Sequence, residues 1–118
     1  MSFEGAAAWI IRVQHILEAI ERIRQYTSGM TFDQFCTDSR TMQAVLHNFM
    51  IIGEATRHIP DSVQQAYSAI PWSEMRDMRN IIAHEYDNVD YWVVWDTIQE
   101  DLPGLPSLLQ HVLDTSKQ

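Results

Sequence analysis

The sequence predicts an all-α fold, an up-and-down bundle of four main helices with short extra helices. Three observations support this class. Apolar residues recur three and four positions apart over several long segments, no segment alternates in the manner of a strand, and no repeat, linker or low-complexity stretch divides the chain. Because 118 residues suit one hydrophobic core, we expect residues 1–118 to form a single helical domain.

The first predicted helix is long and amphipathic. Its apolar residues recur at helical spacing over residues near 4–27, with charged residues between them. Ser28 and Gly29 should end this helix, because glycine is favoured just beyond a helix C-terminus. Thr31, followed three residues later by Gln34, has the pattern of a capping box and predicts a short helical turn.

The second long helix should begin at Asp38 and stop before Pro60. Gly53 lies inside this helix, where it lowers helix stability relative to alanine. A glycine at such a position lets another backbone come close. We therefore expect a neighbouring helix to pack against Gly53.

The second half of the chain predicts a short helix and two further long ones. Asp61 and Ser73 are candidate N-caps for the short helix and for the third long helix. Asp90 should open the fourth. Pro103 and Pro106 should kink or interrupt that fourth helix, because proline lacks an N–H and clashes with the preceding turn.

Composition indicates a globular protein without a membrane span. The longest apolar runs are a few residues, and the N-terminus lacks the basic and apolar regions of a signal peptide. The single cysteine, Cys36, cannot form an internal disulfide, which fits a reducing compartment. We therefore expect a cytoplasmic protein.

The net charge of the chain argues against a protein that binds nucleic acid non-specifically through a broad basic surface. Net charge is −8, and the chain has seven arginines and one lysine against sixteen carboxylates. Any RNA contact must then come from a local cationic patch, whose candidates are Arg57, His58, Arg76, Arg79 and His84. The stretch 85–101 holds six carboxylates and no cation, which suits either a basic partner or a solvated helix face.

The segment from Arg79 to Tyr86 carries the chemistry most relevant to function. Arginine is a permanent cation whose planar fork fits phosphate oxygens, and histidine exchanges protons near neutral pH. Arg79 and His84 could therefore cleave an RNA backbone without metal. Residues five apart on a helix are roughly 140° apart around its axis, so either the helix frays before His84 or a second chain completes the site.

The order arginine, four residues, histidine, one residue, tyrosine resembles the signature of HEPN-domain ribonucleases of the HepT toxin type. Other segments resemble that family in the same order along nearly the whole chain: Ile52-Gly53-Glu54-Ala55, Ile70-Pro71-Trp72, Tyr91-Trp92-Val93-Val94-Trp95 and Leu102-Pro103. The resemblance implies a HEPN-like bundle, a homodimer and an RNA substrate.

The resemblance also implies roles for individual residues. Two copies of the motif would meet between protomers, with His84 transferring protons and Arg79 binding the scissile phosphate. Asn80 would orient the phosphate or His84, and Glu54 would orient Arg79. Judged without the resemblance, the arginine and histidine are more often a surface ion pair and a capping histidine, Asn80 a surface amide and Glu54 an ordinary ion-pair partner.

Arg57 and Arg76 are candidates for further RNA contacts. The motif tyrosine in HepT-type proteins accepts AMP from a partner antitoxin, the minimal nucleotidyltransferase MntA, so the resemblance implies this modification at Tyr86. It implies a type VII toxin–antitoxin system. The alternative is a non-catalytic helical subunit that binds nucleotide or partner in a two-protein nucleotidyltransferase complex.

The sequence predicts neither a metal nor a cofactor. The histidines lack paired metal-ligand spacing, one cysteine cannot form a zinc cluster, and no glycine-rich phosphate loop is present. Trp92 and Trp95 lie three positions apart, nearly on one side of a helix, so we expect them in the core or in a dimer seam.

Overall fold

The computed structural model describes the backbone of residues 2–84 and 88–116, and the side chains of residues 8–79 and 88–116. The helices are α1 (Ser2–Thr27), α2 (Phe32–Thr37), α3 (Ser39–Arg57), α4 (Asp61–Ala66), α5 (Trp72–His84), α6 (Tyr91–Asp96) and α7 (Leu105–Ser116), with a π turn at Thr97–Asp101 and a 3-10 turn at Leu102–Gly104 between the last two. No strand occurs in these ranges. The predicted all-α fold is confirmed, with α1, α3, α5 and α7 as its long helices.

Helix α3 lies at the centre of the bundle. It packs against α1 on one side and α5 on another, while α1 also contacts α7 and α2 contacts both α3 and α6. The core is apolar and draws on every long helix. The largest of its fully buried apolar side chains are Val13, Ile16, Ile20, Ile23, Phe35, Val45, Leu109 and Val112. Burial of these apolar side chains is the main contribution to the stability of the fold. Among the described residues, no helix has both the length and the apolar character that crossing a membrane requires.

The predicted helix ends in the first half of the chain are confirmed. Gly29 follows α1 with a φ of 77°, a left-handed conformation that glycine adopts without strain. Thr31 forms the capping box of α2 with Gln34. Asp38 caps α3 by accepting a hydrogen bond from the Thr41 N–H at 3.0 Å, and the hydrogen bonds from Thr41 hold the pKa of Asp38 below its ordinary value.

The N-caps predicted at Asp61 and Ser73 are wrong, because both helices begin earlier than these caps would place them. Helix α4 begins at Asp61 itself, with Pro60 in the capping position, and α5 begins at Trp72, so that Ser73 lies inside its first turn. A proline has a backbone already suited to helix entry, and it lacks an N–H that would need a cap. Asp90 caps α6 as predicted, through hydrogen bonds from the N–H groups of Trp92 and Val93.

The α-helix is interrupted before α7, as the prolines predict. The chain stays helical through the interruption, because a π turn and then a 3-10 turn replace the α-helical pattern. Pro103 lies inside the 3-10 turn, and Pro106 falls in the first turn of α7. Changing the hydrogen-bond pattern accommodates the missing N–H groups without breaking the helical path.

The two tryptophans of α6 have different environments. Trp95 packs against the core, with its ring 5.2 Å from that of Phe35. Trp92 meets Phe32 edge-on at 5.1 Å, yet 56% of its surface is exposed. The expectation of a core position is confirmed for Trp95 and wrong for Trp92, whose place in a dimer seam stays a prediction.

Candidate functional site

Gly53 of α3 packs directly against Arg79 of α5. A Cβ atom at position 53 would collide with the Arg79 Cβ and would lie 3.1 Å from its Cα. Only glycine permits this approach, because any side chain would force the two helices apart. The expected close contact at Gly53 is confirmed, and the helix that makes it carries the motif.

Glu54, the next residue of α3, contacts two arginines and a histidine at once. Its Oε2 lies 3.6 Å from Arg79 Nε and 3.2 Å from Arg57 Nη1, and its Oε1 lies 3.3 Å from His58 Nε2. The hydrogen bond with His58 is the largest cause that holds the pKa of Glu54 below its ordinary value; desolvation opposes it, and the charges of Arg57 and Arg79 add to the lowering. Glu54 is therefore ionised at neutral pH.

Contacts with two neighbouring residues of α3 help to position Arg79. Its backbone lies against Gly53, and its guanidinium lies against the Glu54 carboxylate. One third of its side chain, 34%, remains exposed. An arginine that is held in place and still reaches solvent can bind an anion without a large loss of side-chain freedom.

The two RNA-binding candidates lie in different surroundings. Arg57 belongs to the Glu54 cluster, the group formed by Glu54, Arg57, His58 and Arg79. Arg76 does not: among the described residues its ion pair is with Asp77, whose Oδ1 lies 4.0 Å from its Nε, and its side chain is exposed. The structure therefore brings together Glu54, Arg57 and Arg79 of the predicted site. Sequence reasoning missed that Arg57 and His58 share one carboxylate with Arg79, although both lie within one helical turn of Glu54.

His84 is the last residue of α5, and Asn80 lies one turn earlier on the same helix. The backbone is helical through His84, which contradicts the alternative in which the helix frays before it. Arg79 and His84 thus lie on different sides of one helix, about 140° apart. The side chains of Asn80 and His84, and the whole of Tyr86, lie outside the described residues. In the described part, no three histidine, cysteine or carboxylate side chains are placed to hold a metal ion.

Comparison with known proteins gives a consistent result. The sequence profile of the family described as "HepT-like: Ribonuclease HepT-like" matches residues 16–112. The chain is 41% identical over 93 residues to "Probable ribonuclease HepT" of Thermococcus cleftensis, and the match covers 79% of this chain and 84% of that protein.

Two further relatives are also named as RNases. "Putative RNase TTE0752" of Caldanaerobacter subterraneus is 31% identical over 105 residues, which cover 89% of this chain and 94% of that protein. "Gamma-glutamylcyclotransferase and putative RNase MJ0434" of Methanocaldococcus jannaschii is 36% identical over 104 residues, 88% of this chain but 47% of that longer protein. No solved structure matches the chain.

Proposed function

The chain belongs to the HepT-like ribonuclease family, which makes it an endoribonuclease, and from this premise we propose that it is the cytoplasmic toxin of a type VII toxin–antitoxin system. Its active form is a homodimer that cleaves RNA without metal at a cleft between protomers. Arg79 and His84 are its catalytic residues, with Asn80 and Glu54 in support. A nucleotidyltransferase antitoxin of the MntA type silences it by attaching AMP to Tyr86.

The observation that carries this proposal is the double fixation of Arg79 by Gly53 and Glu54. Phosphoryl chemistry depends on cationic groups that are already in position when charge develops on the phosphate. Glu54 provides this position while Arg57 and His58 also contact its carboxylate. Arg79 can then turn part of its guanidinium to an incoming phosphate without leaving a carboxylate unpaired.

Cleavage follows from ordinary acid–base chemistry at the two histidines. One His84 accepts the proton of the ribose 2′-hydroxyl, whose oxygen attacks the adjacent phosphorus. The bond from phosphorus to the 5′-oxygen breaks, and the second His84 donates a proton to that leaving oxygen. Arg79 stabilises the charge on the phosphate throughout. The products are a 2′,3′-cyclic phosphate end and a free 5′-hydroxyl.

The dimer is supported by the helical geometry of α5. Positions 79 and 84 are about 140° apart around the axis of α5, so they do not share a face of that helix within one chain. A two-fold axis next to α5 would bring the arginine of one protomer towards the histidine of the other. Sedimentation at micromolar concentration should show a dimer. Full activity in a strict monomer would contradict the shared cleft.

The regulation rests on the place of Tyr86, two residues beyond His84. An AMP group adds negative charge and bulk beside the position that binds the RNA phosphate, so it should exclude the substrate. The six carboxylates of residues 85–101 give this side of the motif an acidic character that suits a basic partner. The competing interpretation, a non-catalytic binding subunit, predicts the same partner but no cleavage.

The test of the proposal is a matched pair of histidine variants. Induced expression of the unmodified chain alone should arrest growth, and the purified protein should cut RNA. His84→Ala should abolish both effects, because no group would remain to transfer the protons. His15→Ala, at an exposed histidine of α1, is the control and should change neither.

Arg79→Ala should also abolish cleavage, while Arg22→Ala, which removes an exposed arginine paired with Glu18, should not. Circular dichroism and sedimentation establish that each variant is folded and dimeric. Cleavage by His84→Ala at the rate of the parent would remove the catalytic assignment. A chain that never cuts RNA, yet binds a nucleotidyltransferase, would establish the competing interpretation.

A further inference from the structure

A groove of about 500 Å³ lies on the surface of the bundle, and the residues of the Glu54 cluster do not line it. Helices α3 and α5 form one side of it, and the π turn, the 3-10 turn and the start of α7 form the other. Its apolar lining includes Ile52, Pro71, Met75, Met78, Leu105 and Leu108. Methionine side chains are flexible and polarizable, which lets such a surface adapt to different apolar groups.

The rim of the groove is acidic on both sides. Glu74 lines it from α5, and Glu100 and Asp101 line it from the π turn. No lysine, arginine or histidine is among the lining residues. Within the ranges that the structure describes, none of these three carboxylates takes part in an ion pair. An apolar floor between two uncompensated acidic edges selects for a ligand that is apolar in the middle and cationic at its flanks.

The negative charge of the rim indicates which class of macromolecule could bind in the groove. RNA is unfavourable, because its phosphates would meet carboxylates on both edges. A second copy related by a two-fold axis is also unfavourable, because an isologous contact pairs this acidic surface with itself. A protein segment with lysine or arginine on both sides of an apolar stripe fits the floor and the rim together. An amphipathic helix has this arrangement.

We propose that the groove between α5 and the π turn docks a basic amphipathic helix of a partner protein. Apolar side chains of that helix enter beside Met75 and Met78, and its cations reach Glu74 on one edge and Glu100 and Asp101 on the other. The inference does not depend on RNA cleavage, since it concerns a different surface and a different class of ligand.

The position of the groove gives the docked helix a functional context. Met75 lies one helical turn before Arg79 on α5, and Ile52 directly precedes Gly53 on α3. A partner in the groove therefore contacts the same two helices that fix Arg79. It binds close to the motif without occupying the arginine itself.

Methionine methyl NMR can test the proposal directly. The chain has six methionines, and labelled methyl groups of Met75 and Met78 report on the groove, while Met30, Met42 and Met50 do not line it. The probes are two designed helical peptides of about 18 residues, or five turns. They share one leucine stripe and differ only in their flanks, lysine in one and glutamate in the other. The lysine peptide should shift Met75 and Met78, and the glutamate peptide should not.

One pair of triple variants separates binding in the groove from general charge attraction. Glu74→Gln, Glu100→Gln and Asp101→Asn combined should weaken binding of the lysine peptide about tenfold, because each exposed ion pair contributes a few-fold. The matched control changes three carboxylates elsewhere, Glu18→Gln, Glu21→Gln and Asp33→Asn, and should leave binding within about twofold.

Gly104 offers a steric test at the same place. It lines the groove, and a Cβ there would meet no atom within 4 Å. Gly104→Trp should therefore fill the groove and abolish peptide binding, whereas Gly104→Ala should preserve it. Thermal unfolding establishes that both variants fold.

Each other outcome overturns the inference. If the lysine peptide does not shift Met75 and Met78, the groove is not a docking site. If the two triple variants weaken binding of the lysine peptide equally, the peptide is attracted only by the net negative charge of the protein. Shifts of Met75 and Met78 caused by an RNA oligonucleotide, or by raising the concentration of the protein alone, would assign the groove to RNA or to a second copy.

Discussion

The contact between Gly53 and Arg79 predicts that Gly53→Ala separates activity from folding. A methyl group at position 53 would occupy the space of the Arg79 Cβ, so α3 and α5 must move apart by an ångström or so for alanine to fit. Two opposing effects set the cost in stability. Alanine favours the helix over glycine by about 1 kcal/mol, while overpacking costs about 1–3 kcal/mol.

The expected net loss is therefore about 1 kcal/mol, or a fall in Tm of about 4 °C for a domain of this size. The effect on catalysis should be much larger. A displacement of about 1 Å at a group that binds the reacting phosphate can cost about 100-fold in rate. The variant should thus fold and dimerise, yet cleave RNA about two orders of magnitude more slowly than the parent.

Thermal unfolding and single-turnover cleavage of a labelled RNA measure the two effects, and Gly104→Ala supplies the control. Its new methyl group would meet nothing within 4 Å, so it should retain full activity and stability equal to or slightly above that of the parent. If Gly53→Ala matched Gly104→Ala in both Tm and rate, the close helix contact would not position Arg79, and the reasoning would fail.

Three further predictions concern the cluster, the switch and the reaction. Glu54→Gln should slow cleavage with little change in fold, because Arg79 loses its ion pair with Glu54; Glu21→Gln is the control. The lowered pKa of Glu54 means that its contribution to stability is present above the ordinary glutamate pKa of about 4.3 and is lost as pH falls through the lower folded value, so acid unfolding of Glu54→Gln should lack this component. Tyr86→Phe should cut RNA and stay active after incubation with the nucleotidyltransferase, ATP and magnesium; intact mass showing AMP on another residue would refute this. Cleavage should persist in chelator and leave a cyclic phosphate end, whereas activity restored only by magnesium would indicate another mechanism.

Sequence patterns predicted the helices well where local signals and tertiary packing agree. Thr31, Asp38 and Asp90 each combine a side-chain acceptor with a following apolar period, and each caps a helix. Gly53 was informative because glycine inside a helix is unfavourable unless a neighbour requires it. The pairing of Glu54 with Arg79 was expected from the resemblance and is present in the structure.

Other features depend on geometry that local patterns do not contain. Trp92 and Trp95 lie nearly on one side of α6, but only Trp95 packs on the core, whereas Trp92 is largely exposed. Arg76 looked equivalent to Arg57 in the sequence, yet it lies away from Glu54. The groove was not predicted either, because Glu74 and Glu100 come from segments far apart in the chain.

The π turn at Thr97–Asp101 makes this part of the chain tolerant of a change in length. A π turn closes its hydrogen bonds over one residue more than an α-helical turn, so it holds one extra residue for about the same rotation of the chain. Deleting exposed Gln99 would let the segment become α-helical while the residues after it keep their direction. The side chains of Leu102 and Leu105 would then stay buried. The same deletion inside α3, which is α-helical throughout, would rotate everything after it by about 100° and should do much more damage.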